Sequence, residues 1–202
     1  AIHANITNTH WYLAILALLV VLAERPAGRW WTFHDVVVLA VAGLSGPFCI
    51  LLLPALAVRL IGLPVRAAAR QVGQWLADPR MLVLGVASAV QVGVMLTQGT
   101  AARSDAPLGA SFELLSRILA TRIFAGFVLP SGFKSILWQQ ETLCVAITIV
   151  GLGVLAYALL RGPDRLKTVV VFAVLMMVPL LLSPQIDLRE EQWRIFAHPM
   201  AG

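Results

Sequence analysis

Hydrophobic positions in this chain fall into long unbroken runs, and polar positions into short segments between them. Residues 13–23, 36–61, 81–97, 143–160 and 166–182 are predominantly apolar, and 36–61 is so on every side of a helical wheel. A soluble helix keeps a polar face and a half-buried strand alternates with period two; these runs do neither. Their lengths suit helices whose solvent is lipid or other membrane helices. The run 36–61 stands apart, because no charged side chain interrupts it between Asp35 and Arg59, yet Ser45-Gly46-Pro47 breaks it in the middle. Pro47 removes a backbone donor and crowds the preceding turn, and it pushes Gly46 towards extended backbone.

Two arrangements fit that break. One is a single span with a kink, its flanks on opposite sides of the membrane. The other is a hairpin of two short helices, 36–44 and 48–61, that enters and returns with both flanks on one side. The freed backbone groups then need protein or water partners. Arg25 and Arg29 precede the run; Arg59, Arg66, Arg70 and Arg80 follow it. Short Arg-bearing loops favour the cytoplasm, and only the hairpin lets both flanks obey that tendency. The hairpin is therefore the preferred reading.

The remaining pattern follows from there. Residues 6–23 approach the ~20 residues of a crossing helix only if the polar lead is included. Asn8, His10, Trp11 and Tyr12 then sit at the membrane interface. Capping and an aromatic belt account for them; the alternative is that Asn8 and His10 face a substrate pocket. Residues 65–76 read as a surface helix with Arg66 and Arg70 towards head groups. Gln91 lies inside the 81–97 span and needs a partner. Residues 108–127 carry Leu108, Phe112, Leu115, Leu119, Ile123 and Gly126 on one face and Glu113, Arg117 and Thr121 on the other, an amphipathic helix lying on the membrane. Arg122 falls at the apolar margin, where it either snorkels to a lipid phosphate or binds an anionic substrate. Pro130, Gly132 and Lys134 make a basic turn. Gly151 and Gly153 read as close-packing positions in the fourth run, and Pro179 as a kink in the fifth.

Composition agrees with the pattern. The chain has 202 residues, 59% hydrophobic and 12% charged, with mean hydropathy +0.86. Such a chain lacks the polar surface to cover a soluble core. The fold class expected is all-α: a polytopic membrane helix bundle with a broken short-helix hairpin and one interfacial amphipathic helix. Residues 1–202 read as a single transmembrane helical domain, with 98–142 as an external loop. The net charge of +5 sits in short loops that orient helices and meet anionic head groups, so membrane lipids are expected partners and nucleic acid is not. Cys49 and Cys144 lie in apolar segments and read as buried thiols. The lead AIHANITNTH has no initiator Met or basic leader, so the chain is expected to be an internal piece of a larger membrane protein, whose other parts are further partners.

Common catalytic motifs are absent. There is no P-loop, no G-x-G-x-x-G, no H-E-x-x-H and no nucleophile elbow. His3, His10, His34 and His198 have no metal-ligand spacing, no cofactor is evident, and nothing in the sequence supports a divalent metal. No neighbour marks out Asp105, Glu113, Glu141, Asp187, Glu190 or Glu191 as a base.

The segments NITNTHWYLAILALLVVLA and LAVAGLSGPFCILLLPALAVRL, joined by a short basic link, resemble the middle of a bacterial GT-C-type membrane glycosyltransferase. Gly43, Leu44, Gly46, Pro47 and Pro54 carry the likeness, and QWRIFAHPMAG resembles the approach to a Gly-Arg-Tyr element. Many members place a Lys after the Gly-Leu break, where Ser45-Gly46-Pro47 stands here. The resemblance implies sugar transfer from a polyprenyl-phosphate donor, on the outer face of the bacterial cytoplasmic membrane. The lipid-linked sugar is then a partner, and the catalytic acidic residue is expected outside this chain. Substrate-binding candidates are Asn8, His10 and Trp11 for the sugar, with Arg117, Arg122 and Lys134 for the phosphate. The alternatives from other classes are a transporter or lipid flippase piece and a non-catalytic membrane subunit.

Overall fold

The computed structural model describes residues 6–24, 28–98, 107–126, 128–182 and 191–197, with the side chains of 6–8, 98, 131, 132 and 196 excepted. The described residues form helices and no strand. The helices are α1 (Ile6–Leu22), α2 (Arg29–Ser45), α3 (Phe48–Ala57), α4 (Val65–Leu76), α5 (Pro79–Gln98), α6 (Phe112–Ile118), α7 (Ser131–Gln139), α8 (Glu141–Arg161), α9 (Asp164–Leu182) and α10 (Gln192–Ala197). A 3-10 turn (Val58–Leu60) extends α3, and a π-helical turn (Leu119–Phe124) extends α6. Among the described residues, three helices are long and apolar enough to cross a membrane: Pro79–Thr97, Glu141–Arg161 and Asp164–Leu182. They match the expected runs. Their surfaces suit lipid, since only 11% of the most apolar window of Glu141–Arg161 is buried inside the protein.

The chain divides into two compact units, residues Ala1–Thr100 with Pro163–Met176, and Ala101–Gly162 with Met177–Gly202. The first unit is built on the broken run. Arg29–Ser45 and Phe48–Leu60 meet at a bend of 118°, so α3 turns back. Both arms pack on α5, and α2 also packs on α1. Leu39 of α2, Leu52 and Ala55 of α3 and Leu84 of α5 are wholly buried between them. The approach is tight at Gly43, where an added Cβ would stand 2.6 Å from Ala87 Cβ. Both arms return to one end of the unit. There Asp35 of α2 and Arg59, just past α3, lie near the start of α5 and the end of α1. The bend is that of a re-entrant hairpin or of a sharply broken span, and its first arm starts at Arg29 rather than at 36.

After the 3-10 turn, Gly62 adopts φ +81°, a left-handed conformation that favours glycine, and redirects the chain into α4. No residue of α4 is buried. Val65 and Leu76 share one face and are highly exposed, while Arg66 and Arg70 lie to one side of it. Asp78-Pro79 then starts α5. Asp78 Oδ1 accepts from the Arg80 amide at 3.0 Å, a carboxylate cap with proline at the first helical position.

The second unit corrects the amphipathic helix expected over 108–127. It begins later, at Phe112, with Ser111 Oγ accepting from Leu114 N at 3.1 Å. It tightens no further than Ile118 before widening into the π-helical turn. Its buried side is rotated from the expected one: Ser116, Ile118, Leu119, Ala120 and Thr121 are buried, whereas Phe112 is 70% exposed. Thr121, expected on the polar face, instead faces inward and donates to Arg117 O at 2.7 Å. Wheel periodicity assumed 3.6 residues per turn throughout, and a π-helical turn shifts the phase. Within this unit α6 and the turn pack on α8, where Thr148 donates to Ser116 O at 3.0 Å. Gly151 and Gly153 differ: a Cβ on Gly151 would meet the Phe124 ring at 2.5 Å, and one on Gly153 would meet nothing within 4 Å. Only the first is a close-packing position. The short α10 docks through Trp193, whose Nε1 donates to Leu181 O at 2.7 Å.

Candidate functional site

The break in the apolar run poses a hydrogen-bonding problem that side chains solve. In a continuous helix the Gly43 carbonyl would accept from the amide of residue 47, which is proline and has none. Gln91 Nε2 of α5 donates to Gly43 O at 3.1 Å and to Leu44 O at 3.0 Å. Cys49 Sγ donates to Gly43 O at 3.3 Å, and Ser45 Oγ to Ala42 O at 2.8 Å. The carbonyls of Ala42, Gly43 and Leu44 thereby find side-chain donors, and Gln91 has the partner its place in the span required.

His10 and Trp11 sit against this bend. The His10 ring stacks on Phe48, the first residue of α3, with centroids 5.4 Å apart and planes at 18°. Trp11 and Phe48 centroids lie 4.5 Å apart. The Gly46 position lies 3.6 Å from His10 Cβ. Asn8 lies in α1 beside them in sequence, and its side chain falls outside the described residues. Two segments far apart in sequence thus form one aromatic cluster at the apex of the bent pair. Its chemistry is that of a surface for stacking and hydrogen bonding: an imidazole, an indole and a phenyl ring, with no carboxylate among them.

The cationic candidates belong to the second unit. Arg117 is engaged there: Nη2 pairs with Glu113 Oε1 at 2.7 Å and the guanidinium stacks 4.8 Å from the Trp138 ring. The i, i+4 pairing and the cation–π contact hold it in place. Arg122 lies half-buried in the π-helical turn, and burial pushes its guanidinium pKa below the ordinary value. Lys134 lies half-buried on α7, which packs against that turn.

Sequence reasoning treated Arg59 and Arg80 as flanking charges that orient helices. The structure makes Arg80 a buried hub, 5% exposed. Its Nη2 meets Asp78 Oδ2 at 3.1 Å, and Nη1 meets Asp35 Oδ2 and donates to Val20 O, at 3.5 and 3.4 Å. This ties α1, α2 and α5 at one end of the unit. Beside it is a polar cavity of about 410 Å³. Arg59, Arg80, Arg165, Gln71, Gln74 and Asp78 contribute to its lining. The legible signal was Asp78-Pro79-Arg80, a helix start with its carboxylate two residues from an arginine. Nothing in the sequence placed Arg59 next to it.

Among the described residues, no three His, Cys, Asp or Glu side chains cluster where they would hold a metal ion. Both cysteines are buried thiols. No family model, no curated protein and no solved structure matches this sequence.

Proposed function

We propose that this chain is part of a membrane glycosyltransferase that moves a sugar from a polyprenyl-phosphate donor to an acceptor at the outer face of a bacterial cytoplasmic membrane. The observation that carries the reading is the meeting of His10 with the bend at Gly46 and Phe48. The two segments whose residues resemble the family, forty residues apart, converge on one apex. Structural anchoring asks only that Trp11 and Tyr12 reach an interface; it does not ask an imidazole to stack at a helix break held by a side-chain carboxamide.

In this reading His10 and Trp11 form the wall against which a sugar ring lies, with Asn8 next to them on α1. Stacking on an aromatic face and hydrogen bonds from an imidazole and an amide suit a polyhydroxylated ring. Arg117, Arg122 and Lys134 lie in the other unit and are given no part in this wall. The acidic base that takes the acceptor proton lies outside these residues.

The test is transfer of radiolabelled sugar from a polyprenyl-phosphate donor in inverted and right-side-out vesicles carrying the full-length protein. The expected result is transfer by the wild type, with His10→Ala reducing it at least tenfold while α-helical content is retained. Labelling of Arg29→Cys and Arg66→Cys, on a background without Cys49 and Cys144, is expected from the cytoplasmic side for both. Labelling of the two from opposite sides, or transport of the donor without transfer, overturns the reading.

A further inference from the structure

The end of the first unit remote from His10 holds chemistry that the glycosyltransferase reading does not use. Val21 to Ala23 border the polar cavity, and Val21 lies roughly 16 Å along α1 from His10. The cavity is walled by the ends of α1 and α3, the inner side of α4, and the starts of α5 and α9.

Its charges are not equally engaged. Arg80 is held by Asp78 and Asp35. Arg165 pairs at the surface with Glu24 at 3.1 Å, and Asp164 lies 3.7 Å from Lys167. Arg59 differs. Its Nε donates to Thr168 Oγ1 at 3.2 Å, and its Nη2 is buried with no hydrogen-bond partner. Three arginines, Arg59, Arg80 and Arg165, border the cavity against the single carboxylate of Asp78, so its lining carries excess positive charge. We infer that this cavity binds a phosphate monoester or diester, whose charge those guanidinium groups neutralise.

Guanidinium groups present forked donors that match phosphate oxygens. Gln71 and Gln74 add neutral carboxamides for the remainder of such a group, and Trp75 adds a flat face. A volume of about 410 Å³ exceeds what a lone carboxylate fills and accommodates a phosphate with its substituent. The surroundings favour a lipid as the source. The exposed apolar face of α4, with Val65 86% and Leu76 65% exposed, suits the acyl boundary, and Arg66 and Arg70 suit head groups. A soluble phosphate compound offers the same oxygens, so experiment must separate the two.

The full-length protein is purified in mild detergent. Retained phosphatidylglycerol is counted by native mass spectrometry, and thermal unfolding is followed with and without inorganic phosphate. The expected result is that the wild type retains phosphatidylglycerol over phosphatidylcholine, and that Arg59→Gln retains about tenfold less. Inorganic phosphate that raises the Tm of the wild type but not of Arg59→Gln assigns the site to soluble phosphates. A lipid effect alone assigns it to head groups. Gln71→Trp fills the cavity without altering a guanidinium, and is expected to lose the same ligand even if Arg59→Gln does not fold. Equal phosphatidylglycerol retention by the wild type and Gln71→Trp, with no response to phosphate, overturns the inference.

Discussion

Gln91 on α5 donates from Nε2 to the carbonyl of Gly43 on α2 at 3.1 Å, the group that Pro47 leaves without its helical donor. A side chain on one helix thus completes the backbone of another at the point where a membrane helix breaks. Because Leu44 O is the second acceptor at 3.0 Å, one carboxamide serves two carbonyls.

Replacing that carboxamide tests its role. Gln91→Leu is expected to lower unfolding stability in micelles by about 1–2 kcal/mol, the range for carbonyls left unsatisfied within a membrane protein. Cys49→Ala removes the other donor to Gly43 O. The two changes are expected to cost more together than their sum, by about 0.5 kcal/mol or more. Simple additivity in a double-mutant cycle would show that Gly43 O has another partner.

The same glycine sets how closely α2 and α5 approach. Gly43→Ala places a Cβ 2.6 Å from Ala87 Cβ, and neither atom can rotate away. The expected cost is about 1–3 kcal/mol from overpacking. Adding Ala87→Gly should recover most of it, as read by denaturant unfolding of the double variant. A single variant as stable as wild type contradicts this contact.

Two glycines of α8 separate helix propensity from packing. Gly153→Ala meets open space and is expected to stabilise by about 0.5–1 kcal/mol, the propensity gain alone. Gly151→Ala meets the Phe124 ring at 2.5 Å; its expected sign is opposite, about 1–2 kcal/mol destabilising. Melting curves of the two variants in one detergent decide the matter, and equal shifts of the same sign would refute it.

Arg80 holds two carboxylates at the buried end of the bundle. Arg80→Leu takes the guanidinium away from Asp78 and Asp35, leaving Asp78 its bond from the residue 80 amide, and is expected to cost about 3–5 kcal/mol. Asp35→Asn, which alters the longer contact at 3.5 Å, is expected to cost about 1 kcal/mol. Guided by thermal aggregation in membranes, the ratio of the two effects is the test, and comparable losses would mean that Asp35 is the principal partner.

Much of the architecture was legible because membrane helices are selected by local properties. Twenty apolar residues cross a bilayer whatever they later touch, so the runs at 81–97, 143–160 and 166–182 became α5, α8 and α9 nearly residue for residue. The break at Ser45-Gly46-Pro47 was equally readable, since proline lacks its donor in any context. The described arginines read as loop charges stand instead at helix ends or on α4, and Arg80 is buried. For the candidate site, the polar and aromatic lead of the first run singled out His10 and Trp11 but not what they touch.

Tertiary structure alone decided three things. It chose the partner of each orphaned group, because hydrogen bonds such as Gln91 to Gly43 join positions 48 residues apart and depend on how helices dock. It distinguished Gly151 from Gly153, which have the same local sequence character and differ only in whether a ring faces them. It gathered Arg59, Arg80 and Arg165 around one cavity, although each reads singly as a surface charge. Local sequence dictates which segments become helices because hydrophobicity, proline and caps act within a few residues. Contacts between helices depend on shape and on the bend of 118°, which no local window contains.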